Sequence, residues 1–279
     1  TGRTMQELLE TVEILRFRYK FGGYIHLKIL PGAGEAETEK AVELANRVSL
    51  NMEAPTAAHL ARLSRSKNFA AEIMGGLSRI SRYVRRQPGV SHSTQFIVGA
   101  AQESDRDILG STVRLYSDYG LKRAYFSTFQ PVPGTPLDGL SGAPLLREHR
   151  LYQADFLFRY YGFQMQELAY DATGNLDLST DPKHAFAIRH PELFPLEINR
   201  ASLAELLRIP GIGPRSAKKI VGLRREAQFR AVEDLARIGV VTKRALPFIL
   251  VQGKHFSALA TRPRRANGSV QTSLWGDEA

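Results

Sequence analysis

Leu206-Leu207-Arg208-Ile209-Pro210-Gly211-Ile212-Gly213-Pro214-Arg215-Ser216-Ala217-Lys218-Lys219-Ile220 reads as a helix, a tight turn and a second helix. Glycines at 211 and 213 allow backbone conformations that other residues avoid, so main-chain amides there can approach an anion closely. The second helix starts at the turn, and its free N–H groups and dipole favour the same anion. Lys218 and Lys219 follow one turn in, where they can reach flanking phosphates. Pro210, Gly211, Ile212, Gly213, Arg215, Ser216, Lys218 and Lys219 are thus the candidate phosphate-binding residues. Ala217 is small where the two helices must meet.

A degenerate copy follows as Leu235-Ala236-Arg237-Ile238-Gly239-Val240-Val241-Thr242-Lys243-Arg244-Ala245. It is one residue shorter, carries Val241 where the second glycine belongs, and meets Pro247, which must end or bend its helix early. This copy reads as packing support. The charge is distributed to match. From Arg208 to Arg265 there are 14 Lys/Arg and three acids, so the chain's whole excess of +10 falls in its last fifth and the rest sums to −1. Concentrated positive charge is the footprint of a polyanion binder.

Further upstream the pattern changes from purely helical to alternating. Four segments, residues 24–30, 48–53, 94–99 and 123–129, read as strands separated by helical stretches, which implies a parallel sheet. Val48, Leu50 and Met52 share one face while Ser49, Asn51 and Glu53 share the other; Ile25, Leu27 and Ile29 oppose Tyr24, His26 and Lys28 in the same way. A doubly covered parallel sheet is apolar on both faces, so a polar face suits a half-barrel with a ligand in its lumen, or edge strands with one wet face. The expected fold class is α/β: a partial, four-stranded parallel β/α barrel, then an all-α module. The expected division is 1–141 for the barrel part, 142–196 for a helical connecting region that includes an aromatic helix over 145–161, 197–253 for the basic module, and 254–279 for a basic flexible tail.

The chain has no cysteine, so thiolate zinc sites, disulfides and cysteine-held clusters are excluded within these 279 residues. None of its seven histidines shows metal-ligand spacing. No apolar run approaches a membrane span and no signal peptide is visible, so the expected location is cytoplasmic, with no membrane partner. The opening at Thr1, directly into a helical run, reads as part of a longer protein.

The segment from Glu197 to about Gly253 resembles the helix-hairpin-helix family in its paired arrangement, which implies sequence-non-specific binding of the DNA backbone. In that family the hairpin carbonyls, here those of Ile209 and Ile212, also offer a place for a monovalent cation. A second resemblance lies upstream. Residues 124–137, ending in Pro133-Gly134-Thr135-Pro136, look like the last strand and turn of a radical S-adenosylmethionine (SAM) barrel, with Phe96-Ile97-Val98-Gly99 as the preceding strand. The resemblance implies cofactor contacts at Asn51, Glu53, Val98, Gly99 and Phe129. The glycine-to-glutamate spacing at Gly99 and Glu103 departs from the family by one residue. By this count strands three to six are present, and the first two strands and the three-cysteine loop for the [4Fe–4S] cluster are not.

The combination resembles the DNA modification/repair radical SAM proteins over nearly the whole chain, including Asp181-Pro182-Lys183 and residues 194–201. That resemblance implies SAM and a [4Fe–4S] cluster for a full-length protein, no cluster in this chain, and a uracil-DNA-glycosylase-like protein as partner. Whether these residues form an enzyme by themselves stays open, and catalytic residues are unassigned; the alternative is a non-catalytic DNA-binding or repair-partner adaptor on a barrel scaffold. Near the end, Gln271, Leu274 and Trp275 resemble the short peptides that dock on the replication sliding clamp.

Overall fold

A computed structural model describes residues 2–256. The chain divides into two compact units, the first running through His190 and the second beginning at Pro191.

The first unit opens with α1 (Gly2–Glu13), which continues into a π-helical turn, Ile14–Arg18. The sheet strands and their crossovers follow in strict alternation: β1 (His26–Lys28), α2 (Glu35–Leu44), β2 (Arg47–Ser49), α3 (Ala57–Leu63), α4 (Gly75–Val84), β3 (Ser91–Val98), α5 (Asp105–Tyr119) and β4 (Arg123–Thr128). The four strands pair in chain order and every pair is parallel. Right-handed crossovers between successive neighbours put all the helices on one face of such a sheet, and the burial pattern agrees. Leu27, Val48, Leu50, Met52, Phe96, Val98, Ala124 and Phe126 are buried, together with Ile73, Leu77 and Ile80 before and within α4 and Ile108, Leu109 and Leu115 of α5. Each such Val, Leu, Ile, Met or Phe side chain contributes roughly 1.5–3 kcal/mol by leaving water. Neighbouring helices also pack on one another, α1 on α2, α2 on α4 and α4 on α5. The opposite face carries His26, Lys28, Arg47, Asn51, Gln95, Arg123 and Tyr125, all exposed or half-buried.

After β4 comes α6 (Leu145–Tyr161), over the residues its aromatic pattern predicts, packed along β4. The outer edge of β4 is closed by side chains instead of by a strand. The Ala124 amide donates to the Tyr116 hydroxyl at 3.1 Å, Phe126 to Tyr152 at 3.0 Å and Thr128 to a Glu148 carboxylate oxygen at 2.8 Å. An edge with its donors taken cannot template a further strand. The short α7 (Pro182–Arg189), N-capped by Asp181, ends the unit.

The second unit contains β5 (Leu196–Glu197), α8 (Leu203–Arg208), α9 (Pro214–Leu223), α10 (Val232–Arg237), α11 (Thr242–Ala245), β6 (Ile249–Val251) and β7 (Lys254–His255). β5, β6 and β7 form a small sheet, parallel then antiparallel.

Several expectations are corrected. The second unit is not all-α: a three-stranded sheet closes it, and strands of two or three residues leave no periodicity to read. The region expected to connect the two parts over 142–196 divides at His190: residues 142–190 fall within the first compact unit, and the aromatic helix expected to dock on the barrel part packs on β4. Lys254 and His255, placed in a flexible tail, pair with β6. β1 and β2 are shorter than their apolar alternation, and β3 begins three residues earlier, at Ser91. Gln271, Leu274 and Trp275 lie outside the described residues.

Candidate nucleic-acid interface

The entry to the hairpin module is fixed by side chains acting on backbone. The Glu197 carboxylate accepts the amides of Asn199, Gln252 and Gly253. The Asn199 side chain both accepts from the Phe229 amide at 2.9 Å and donates to the Phe229 carbonyl at 2.9 Å. Ser202 caps α8 in a reciprocal box with Glu205, whose carboxyl the Ser202 amide and hydroxyl hold below its usual range. Arg224, at the end of α9, donates to the Ile198 and Ala201 carbonyls at 2.9 and 2.6 Å. It is therefore a structural arginine, and nothing in the local sequence distinguishes it from its neighbours.

Between α8 and α9 the chain reverses at Gly211, whose φ is +82°. A Cβ there would collide with the Val241 carbonyl, and the Gly211 carbonyl accepts the Val241 amide at 2.9 Å. The two hairpins are thus locked tip to tip, and only glycine fits the first. Gly213 differs from expectation: it is extended, at φ −95°, and serves as N-cap of α9, followed by Pro214 at the first helical position. The amides of Gly213 and Arg215 have no acceptor among the described residues. Arg215, Lys218 and Lys219 are exposed, and none forms an ion pair among the described residues.

The other candidates play supporting parts. Pro210, Ile212 and Ser216 are buried. Ser216 donates to the Gly239 carbonyl at 2.9 Å, so its hydroxyl ties the first helix pair to the second hairpin instead of facing a ligand. The Ile209 carbonyl already accepts the Ile212 amide. In the second hairpin Gly239 repeats the left-handed turn at φ +91°, but α11 lasts only four residues before a 3₁₀ turn containing Pro247. Lys243 occupies the place of Arg215 and is exposed, a candidate the sequence reading left out.

In the first unit Asn51, Glu53, Val98, Gly99 and Phe129 come together at the C-terminal ends of β2, β3 and β4. The Phe129 amide donates to the Val98 carbonyl at 2.9 Å, and the Glu53 backbone bridges Gln95 and Ile97. Most of their polar groups are already engaged. The Glu53 carboxylate pairs with Lys67 at 3.1 Å. The Gly99 amide donates to the Glu103 carboxylate, which also accepts from Ala101. Glu103 is buried and clamps this loop, with Arg147 joining it to Asp105. Val98 is buried among the helices and offers only backbone. Of the two polar side chains in this group, Glu53 is paired with Lys67 and that of Asn51 has no hydrogen-bond partner among the described residues. Left-handed backbone at Glu53 (φ +61°), Gly99 (φ +95°) and Gln102 (φ +58°) marks the same sheet edge, a kind of strain that tends to collect at functional sites.

These features define a helix-hairpin-helix module attached to a β/α sheet unit, and comparison with known proteins agrees for the module. Residues 195–247, from just before β5 to Pro247, match the family described as helix-hairpin-helix motif. The chain is also 33% identical over 94 residues to the tRNA-2-methylthio-N(6)-dimethylallyladenosine synthase of Alkalilimnicola ehrlichii, a match that takes in 33% of this chain and 20% of that protein. No solved structure matches the chain. Among the described residues no helix is long and apolar enough to cross a membrane, and no group of His, Cys, Asp and Glu is arranged to hold a metal ion.

Proposed function

We propose that the chain binds DNA through its hairpin module, gripping the phosphate backbone without reading base sequence. One observation carries this reading: exposed, unpaired Arg215, Lys218 and Lys219 flank free amides at the start of α9, which Gly211 holds in place. Free first-turn amides, the helix dipole and nearby cations are complementary to phosphate, and none of them discriminates between bases. Titration of duplex DNA at several salt concentrations tests the proposal. Log affinity should fall against log salt by about 0.9 per phosphate neutralised, and Lys218→Glu with Lys219→Glu should abolish most of the binding. Unchanged affinity in that variant overturns it.

We further propose that the first unit is part of a radical SAM barrel, within a longer cytoplasmic protein of DNA repair or modification. Its support is the sequential parallel sheet with one polar face, the turn at 133–136, and the similarity to a methylthio-adding enzyme of tRNA. The residues present do not fit an iron–sulfur cluster, because the chain has no cysteine to ligate one. They fit SAM only in part, since Glu53 and the Gly99 amide are already paired. Any cluster ligands would have to come from residues outside this chain, as would contacts to a uracil-DNA-glycosylase-like partner. The cysteine count also favours a second reading for the chain by itself, a DNA-binding adaptor with the sheet unit as scaffold. Anaerobic reconstitution with iron and sulfide decides between them: a cluster held by a longer version of the protein supports the first, and none supports the second.

A further inference from the structure

The first unit, residues 1–190, holds 23 Lys/Arg against 20 Asp/Glu, a net of only +3, but this charge is unevenly arranged. Residues 14–33 contain Arg16, Arg18, Lys20 and Lys28 and no acid. Within this stretch Phe17, Tyr19 and Tyr24 are 70%, 68% and 60% exposed. Their exposure is built, because Arg16 pins the loop from inside. Its guanidinium donates to the carbonyls of Leu44, Phe21 and Gly23 and to the Asn46 side chain, all within 2.9 Å. Asn46 in turn accepts the Ile25 amide. This network holds the loop from inside, and the aromatic rings, Arg18 and Lys20 lie outside it.

This surface continues onto the open sheet face at the N-terminal ends of the strands. The Arg47 guanidinium lies 6.0 Å from the Tyr24 ring and donates to the Tyr125 hydroxyl and to Ser91, each at 3.2 Å. The Arg123 guanidinium lies 4.9 Å from the centroid of the Tyr125 ring. His26 pairs with Arg47 across β1 and β2, and Lys28 stands two residues further along, opposite Ser49. Neither Arg47, Arg123, Arg18, Lys20 nor Lys28 has a carboxylate partner among the described residues, and the Ser93 hydroxyl and the Arg123 Nε are buried there without one. Clustered cations on aromatic rings with no acid between them lack a counter-anion, and flat exposed rings lack something to stack on.

We propose that residues 17–24 together with Arg47, Tyr125 and Arg123 bind unpaired nucleotides of a nucleic-acid strand, the rings stacking on bases and the cations meeting phosphates. The inference rests on reading the chain as a nucleic-acid binder, but it uses none of the hairpin residues. A fluorescein-labelled 20-nucleotide oligo-dT strand, followed by anisotropy with the full chain, tests it. In the Lys218→Glu/Lys219→Glu background, which removes duplex binding, single-strand binding should persist. Adding Phe17→Ala with Tyr19→Ala should weaken it tenfold or more, and Lys20→Glu with Arg123→Gln should weaken it and flatten its salt dependence. Because Phe17, Tyr19 and Lys20 are exposed, their substitution leaves the fold intact, which circular dichroism checks. Single-strand binding that disappears in the hairpin background alone overturns this inference and leaves the duplex proposal standing. Binding indifferent to the aromatic substitutions also overturns it, because charge without stacking describes any basic surface.

Discussion

The two units treat charge in opposite ways. In the first, the structural carboxylates are buried and answered: Arg147 spans Glu103 and Asp105, and Arg159 meets Asp155 at 2.6 Å, with all three carboxylate side chains fully enclosed. In the second, Arg215, Lys218, Lys219 and Lys243 stand in solvent with no ion-pair partner among the described residues. Charges inside the first unit are neutralised within the fold, so changing them alters stability. Charges on the second are left for a ligand, so changing them alters binding. The aromatic and basic surface of residues 17–24 is the place where the first unit departs from its own pattern.

The sharpest way to break this comparison is at Arg147. Arg147→Met leaves Glu103 and Asp105 buried without their cation, and removing one partner from a buried ion pair costs about 3–5 kcal/mol. Urea unfolding of the variant should show that loss, while duplex affinity of the folded fraction stays the same. A loss below about 1 kcal/mol would mean that water or the backbone amides already satisfy the two carboxylates.

Next in size is the contrast between the two turn glycines. Gly211→Val places a β-branched residue at φ +82° and drives its Cβ into the Val241 carbonyl. About 3 kcal/mol or more of module stability should be lost, with the hairpin's DNA binding. Gly239→Ala meets the same left-handed strain at φ +91°, but its nearest neighbour is the Ser216 hydroxyl at 3.5 Å. The expected cost is only about 1 kcal/mol. Equal costs at the two sites would refute the tip-to-tip lock.

These glycines also show where the sequence could be read and where it could not. Gly211, Gly213 and the following lysines lie within one short segment, and their local pattern was sufficient to locate the hairpin. Ser216 belongs to the same segment, yet its partner is Gly239, 23 residues away, so a hydroxyl beside a glycine turn looked like a ligand contact. Two strands of the first unit were legible from alternation over six residues, 24–29 and 48–53, which runs beyond the strands themselves. The three strands of the second span two or three residues each and exist because Glu197 gathers distant amides. Arg147 and its carboxylates, 42 and 44 positions apart, carry no local signal at all.

A smaller effect should follow from His92, which is buried with neither ring nitrogen partnered. Burial, and then the charge of Arg85, push its pKa down to about 4. The folded value thus lies below the unfolded one near 6.5, so stability is complete above pH 6.5 and is lost as pH falls toward 4. The loss amounts to at most about 3 kcal/mol, and water reaching the ring would reduce it. His92→Leu should flatten the difference in urea midpoint between pH 7 and pH 4.5, and an identical pH profile in the variant would show that the ring titrates freely.

The smallest effect is expected at Lys243, and it decides whether the two hairpins share one function or divide two. Lys243 occupies in the second hairpin the place that Arg215 occupies in the first, and it is as exposed. The backbone around it is not equivalent. The Val241 amide is consumed by the Gly211 carbonyl, the Val241 side chain is 54% exposed where the first hairpin has glycine, and α11 is too short to present a free helical turn. Lys243 therefore supplies charge near DNA without a matching set of amide donors. Lys243→Glu should weaken duplex binding about two- to threefold at low salt and leave the slope of log affinity against log salt nearly unchanged, since attraction over more than a Debye length is screened away. Lys218→Glu, in direct reach of a phosphate, should instead lower that slope by about 0.9. If Lys243→Glu lowers the slope equally, the second hairpin grips a phosphate of its own, and the division between a binding hairpin and a packing hairpin fails.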